Sequence, residues 1–168
     1  MQLMRGTDTM IAVGDKLPNA TLRRVGAEGP EAVEMGALTA GRKVVIFGLP
    51  GAFTGTCTTA HVPSFLRNKG AFDAKGVDEI ICVSVNDPFV MQAWSESMGA
   101  EALTLLGDPA SEFTKAIGMN WSAEPVGFID RSKRYALYAE DGVVKVLNVG
   151  DAPGECEISA GETMLAAI

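Results

Sequence analysis

The 168-residue chain is 47% hydrophobic and 21% charged, which suits one compact domain over residues 1–168 with enough apolar material for a full core. A net charge of −7, with 14 lysines and arginines that do not cluster, excludes a nucleic-acid-binding surface, since phosphate binding needs a basic face. No apolar run approaches the ~20 residues of a membrane-spanning helix. Residues 1–10 lack the apolar core of a secretory signal, and three cysteines without a C-x-x-C pair make neither a disulfide framework nor a zinc site. The expectation is a cytoplasmic protein without a metal or bound cofactor.

Residues 14–40 alternate short apolar positions with Gly26, Gly29 and Pro30, and read as weak strands or a hairpin leading into the fold. Residues 44–49 are an apolar run rich in β-branched side chains, the pattern of a strand buried on both faces. A Gly/Pro-rich turn follows, then a helix over about residues 56–68 that Pro63 should kink, because proline removes a donor and crowds the preceding turn. Residues 78–85 form a second buried strand, and Asn86-Asp87-Pro88 opens a helix that stops before Gly99. A third strand covers residues 103–106, and Asp108-Pro109 opens a helix closed by Gly118.

After about Pro125 the pattern changes to hairpins. Residues 134–139 and 143–149 flank Glu140-Asp141-Gly142, where Asp-Gly is a strong hairpin signal, and a last helix covers residues 160–168. Two or three βα units, an antiparallel pair and a terminal helix describe an α/β fold, a central mixed sheet with helices on both faces.

Chemistry concentrates in the turn from Pro50 to Cys57. It delivers a cysteine to the start of a helix, where free backbone N–H groups and the helix dipole favour thiolate over thiol. Thr54 stands three residues before Cys57, the spacing of an N-terminal cap. Pro50 stiffens the approach, and Gly51 and Gly55 permit backbone geometry or close approach of a ligand that a β-carbon would hinder.

Pro50-Gly51-Ala52-Phe53-Thr54-x-Thr56-Cys57 followed by His61-x-Pro63-x-Phe65 closely resembles the active-site signature of the peroxiredoxins, in the type II or peroxiredoxin-five-like group. The resemblance continues through Ser84-Val85-Asn86-Asp87-Pro88-Phe89-Val90-Met91, Ala93-Trp94 and Asp130-Arg131-Ser132-x-Arg134-Tyr135-Ala136. It implies a thioredoxin-like fold and thiol-dependent reduction of hydrogen peroxide and alkyl hydroperoxides by a homodimer. Residue by residue, it makes Cys57 the peroxidatic cysteine, Thr54 a donor to peroxide and thiolate, Pro50 the shield of the sulfur and Arg134 the group that orients and activates. Gly55 stands where these relatives usually carry proline.

The same resemblance places a resolving cysteine at Cys156, with Cys82 as the second candidate; otherwise an external thiol, glutathione with glutaredoxin or a thioredoxin, regenerates the enzyme. From its own surroundings Cys82 reads as core, and the acidic neighbours Glu155 and Glu157 disfavour a thiolate at Cys156. His61, four residues after Cys57, reads as pocket wall rather than as the base of a cysteine hydrolase. Arg131 reads as a solvated neighbour of Arg134. A peroxide sensor or redox relay acting on a partner protein is the alternative to an enzyme.

The donors matter more than the ionisation. At pH 7 a thiol of pKa ~8.5 is only about 3% ionised, so complete ionisation gains roughly 30-fold at most. Any larger acceleration has to come from orienting the peroxide and stabilising the departing oxygen.

Overall fold

The computed structural model describes residues 10–150 and 157–168. Seven strands, β1 (Thr21–Gly26), β2 (Gly29–Glu34), β3 (Lys43–Gly48), β4 (Glu79–Ser84), β5 (Thr104–Gly107), β8 (Tyr135–Glu140) and β9 (Val143–Val149), form one sheet. Its order is β2-β1-β5-β4-β3-β8-β9. The central β3, β4 and β5 run parallel, and the flanking pairs are antiparallel. A separate two-stranded sheet joins β6 (Asn120–Ala123) to β7 (Phe128–Ser132). The helices are α1 (Met35–Thr39), α2 (Val62–Leu66), α3 (Lys69–Ala74), α4 (Pro88–Met98), α5 (Glu112–Ala116) and α6 (Gly161–Ala167).

The period-2 alternation of a strand splits the core between the two sheet faces. Val45 and Phe47 of β3 enter one cluster with Val62, Phe65, Phe72, Trp94 and Met164, from α2, α3, α4 and α6. Val44 and Ile46 enter the opposite cluster with Met35 of α1 and Phe113 of α5. All four β3 side chains are fully buried, and each contributes roughly 1.5–3 kcal/mol of transfer free energy. This is the mixed sheet with helices on both faces that the sequence pattern predicts.

Local signals also produce their elements. Asp87 caps α4 by accepting from the Val90 N–H at 2.9 Å, Pro88 takes the first turn, and Gly99 closes the helix at φ +64°. Asp141 and Gly142 both adopt positive φ in the turn of the β8–β9 hairpin. At Asp108 the structure differs from expectation: α5 begins at Glu112, and the buried Asp108 carboxylate accepts from the Phe113 and Thr114 N–H groups across an intervening turn. The β6–β7 hairpin is not foreseen, because four- and five-residue strands with one-sided apolar content carry little period-2 signal.

Candidate active site

Strand β3 ends at Gly48 and hands the chain to the turn at residues 49–54, on the carboxyl edge of the parallel strands, where open α/β sheets place their ligand sites. Helical backbone then begins at Gly55. The expected kink at Pro63 takes a specific form: Cys57–His61 is a π-turn in which the Val62 N–H bonds the Cys57 carbonyl, and Pro63 lies in the first turn of α2. Proline has no N–H to continue an α-register ladder, and the wider turn absorbs that loss. Cys57 and His61, at the two ends of this turn, are both fully buried.

Arg134 precedes β8 and is only 3% exposed. Its Nη2 donates to Cys57 Sγ at 3.3 Å, and its Nη1 donates to His61 Nδ1 at 3.1 Å. A guanidinium cannot accept, so His61 Nδ1 carries no proton; the imidazole is the neutral Nε2–H tautomer, donating to the Ser159 carbonyl at 3.0 Å. Burial first, and the adjacent positive Arg134 second, push the His61 pKa down to about 3, with the bond to Ser159 opposing. His61 is therefore uncharged across the physiological range.

The turn before Cys57 is held by side chains at three consecutive residues. The Pro50 carbonyl accepts from Arg131 Nη1 at 3.0 Å, the Gly51 carbonyl accepts from Thr54 Oγ1 at 2.7 Å, and the Ala52 N–H donates to Asn86 Oδ1 at 3.0 Å. Ser84 Oγ in turn donates to Asn86 Oδ1 at 2.5 Å. Pro50 is buried, Thr54 half-buried and Gly55 exposed, with open space where a β-carbon on Gly55 would point. Phe53 takes φ +64°, a left-handed conformation rare for a bulky residue, and is 57% exposed. A buried cysteine under an arginine, beside a turn fixed in this way, is suited to a small electrophile that accepts hydrogen bonds.

Residues 12–165 match the Redoxin family. Peroxiredoxin-2E-2, chloroplastic, of Oryza sativa subsp. japonica is 53% identical over 94% of this chain and 72% of its own length. Peroxiredoxin-2F, mitochondrial, of Arabidopsis thaliana is 40% identical over 99% of this chain and 85% of its own length. Reduced Prx3 of Vibrio vulnificus, solved in complex with H2O2, is 47% identical with a TM-score of 0.90, covering 94% of this chain and 99% of that one. The chain belongs to the peroxiredoxins, in the type II group. Its fold is thioredoxin-like, and it is a thiol-dependent peroxidase.

Within this peroxiredoxin the structure sets Arg134 in direct contact with both Cys57 and His61 and places Pro50 and Thr54 in the adjoining turn. Thr54 donates its hydroxyl to the Gly51 carbonyl, and among the described residues no helix N–H bonds its oxygen as a side-chain cap would require. Cys82 lies mid-strand in β4, paired with Phe47 and Leu105 and fully buried. Burial pushes its thiol well above the ordinary range, Cys57 adds to the rise, and Arg134 opposes it. Cys156 lies outside the described residues. A cysteine-hydrolase arrangement has no support, since both His61 nitrogens bond elsewhere.

Two residues of the site escaped sequence reasoning. Asn86 stands in a helix start and in the family pattern with no role of its own assigned, yet its side chain reaches back 34 residues to the turn. Arg131 is half-buried rather than solvated, and reaches 81 residues back to Pro50. Both contacts join segments distant in sequence, so no spacing rule reveals them.

Proposed function

We propose that Cys57 is the sulfur that attacks the hydroperoxide, and the contact from Arg134 Nη2 to its Sγ at 3.3 Å carries this reading. The sulfur bonds one peroxide oxygen and the O–O bond breaks. The electron pair stays on the departing oxygen, which takes a proton and leaves as water or an alcohol. Cys57 is then a sulfenic acid, oxidised by two electrons while the peroxide is reduced. The guanidinium supplies donors where charge develops, and holds them in place because its other arm is bonded to His61. Pro50 walls the sulfur from water, and Thr54 offers Oγ1 to the peroxide, donating once its proton turns off the Gly51 carbonyl. The complex of the Vibrio vulnificus relative with H2O2 supports the assignment of substrate.

Regeneration needs a thiol and no bound cofactor. The fully buried Cys57 has to become exposed before a bulky reductant reaches it. Glutathione with glutaredoxin, a thioredoxin, or Cys156 of the same chain are the routes, and Cys82 is the weakest candidate because its thiol resists ionisation. Mass spectrometry after one equivalent of peroxide separates them: a Cys57–Cys156 link, a Cys57–Cys82 link, or an oxidised or glutathionylated Cys57 alone. Exposed Phe53 and Phe89, with Val126 and Ile129 on the β6–β7 connection and β7, support a homodimer, which sedimentation measures directly. Cytoplasmic residence draws no support from relatives named chloroplastic and mitochondrial. Among the described residues no helix is long and apolar enough to cross a membrane.

The deciding assay follows hydrogen peroxide and an alkyl hydroperoxide with a thiol reductant, alongside an ester substrate. Cys57→Ser is expected to abolish peroxide turnover, and the intact protein to leave the ester uncleaved. Peroxide turnover that survives Cys57→Ser would remove the assignment.

A further inference from the structure

The geometry points to Arg131 as a positioning residue of the peroxidase reaction, holding the Pro50–Thr54 turn against the reacting sulfur from outside the main sheet. The inference rests on Cys57 as that sulfur. Arg131 lies on β7, and its Nη1 donates to the Pro50 carbonyl at 3.0 Å. Its guanidinium carbon sits 4.9 Å from the centroid of the Phe128 ring, so an aromatic face supports the plane while its edge is left to donate. The head group also occupies the space beside the next residue of the turn: a β-carbon on Gly51 would lie 2.5 Å from Nη1. A side chain on Gly51 would therefore displace the arginine head group from its place beside the turn.

The strand is built to aim this side chain. Opposite Ser122 of β6, β7 carries two residues, Ile129 and Asp130, so the register shifts between the Trp121–Arg131 and Ala123–Phe128 pairs. Bulges of this kind re-aim side chains. Asp130 takes φ +50°, and its conformation is held from several directions. Its N–H donates to Ser122 Oγ at 2.9 Å, its carbonyl accepts from Ser111 Oγ at 2.7 Å, and its carboxylate faces Lys115 at 3.4 Å. Arg131 is the next residue, so this fixed kink sets the direction from which it reaches Pro50. Together with Asn86 on the Ala52 N–H, it grips the turn from a second element.

Rapid mixing with hydrogen peroxide, the alkylation rate of Cys57 by iodoacetamide, and the urea midpoint form the test. Iodoacetamide needs a reactive sulfur but none of the donors placed for an O–O bond. Arg131→Gln is expected to lower the peroxide rate constant roughly 10- to 100-fold, as misplaced reacting groups do, with the alkylation rate unchanged. Arg131→Lys, which keeps a donor, recovers part of the loss. Gly51→Ala lowers the peroxide rate in the intact protein and adds nothing further to Arg131→Gln, as two changes to one contact should. Phe128→Leu, which keeps the guanidinium and removes its aromatic support, gives a smaller loss in the same direction and decides the matter if Arg131→Gln unfolds. An unchanged peroxide rate, or peroxide and alkylation rates falling together with the urea midpoint, overturns the proposal. Peroxide turnover surviving in Cys57→Ser would instead remove the assignment of the sulfur, a failure seen in a different variant.

Discussion

Arg134 and His61 are joined by a hydrogen bond of 3.1 Å from Nη1 to Nδ1, made by the guanidinium whose other arm reaches Cys57. The imidazole serves as a neutral acceptor that fixes the angle of the arginine, and its Nε2–H ties both to Ser159. His61→Leu leaves Nη1 buried without this acceptor and should slow the reaction with peroxide, while His61→Gln, whose side-chain oxygen accepts, should recover part of it. Single-turnover rates on the two variants check this; equal rates would leave His61 as filler.

The same histidine makes the fold acid-sensitive. Its folded pKa of about 3 lies below the ordinary 6.5, so between those values the unfolded chain binds a proton that the native protein does not. Its contribution to stability is therefore complete above the unfolded value and falls as pH drops, by up to about 1.4 kcal/mol per pH unit. Urea melts from pH 8 to pH 4 should show the advantage of the intact protein over His61→Gln shrinking below neutrality. An advantage independent of pH would contradict it.

Thr54→Val and Arg134→Met should lose far more activity than thiolate population explains. Ionisation accounts for roughly 30-fold at most, whereas removing an oriented donor to a developing oxyanion costs about 100- to 1,000-fold. Measuring peroxidase rate and Cys57 titration on the same proteins separates the two. Matching losses would mean that these residues act only through ionisation.

Tyr135 is fully buried, and its hydroxyl has no hydrogen-bond partner among the described residues. Burial, with Asp108 and Cys82 adding, pushes its pKa well above the ordinary value. Tyr135→Phe removes a polar group without opening a large cavity, so stability should hold or rise by about 1 kcal/mol. Thermal melts check it, and a clear loss would reveal a partner for the hydroxyl.

Gly55→Pro should stabilise the protein by roughly 0.4–1 kcal/mol, because proline suits the first position of a helix and lowers the entropy of the unfolded chain. Gly55 stands at that position, exposed, with open space within 4 Å of where a β-carbon would point. A rise in melting temperature with unchanged turnover is expected; a fall would mean that the turn needs the freedom of glycine.

Local chemistry made much of this protein legible in its sequence. The cap at Asp87 and the Asp141-Gly142 turn rest on interactions within a few residues, which spacing records, while the apolar run of β3 and the stretch from Pro50 to Cys57 were marked by their residue types. Spacing also showed that Pro63 must disturb its helix. Tertiary structure decided the rest. Asn86 on Ala52 and Arg131 on Pro50 depend on where β3, β4 and β7 end relative to one another. Arg134 meets the sulfur because β8 pairs antiparallel with β3, setting Tyr135 opposite Gly48 and the arginine just beyond the strand end where the turn begins. Residue type and order marked the sulfur and its neighbours, and packing across the sheet determined which groups hold them still.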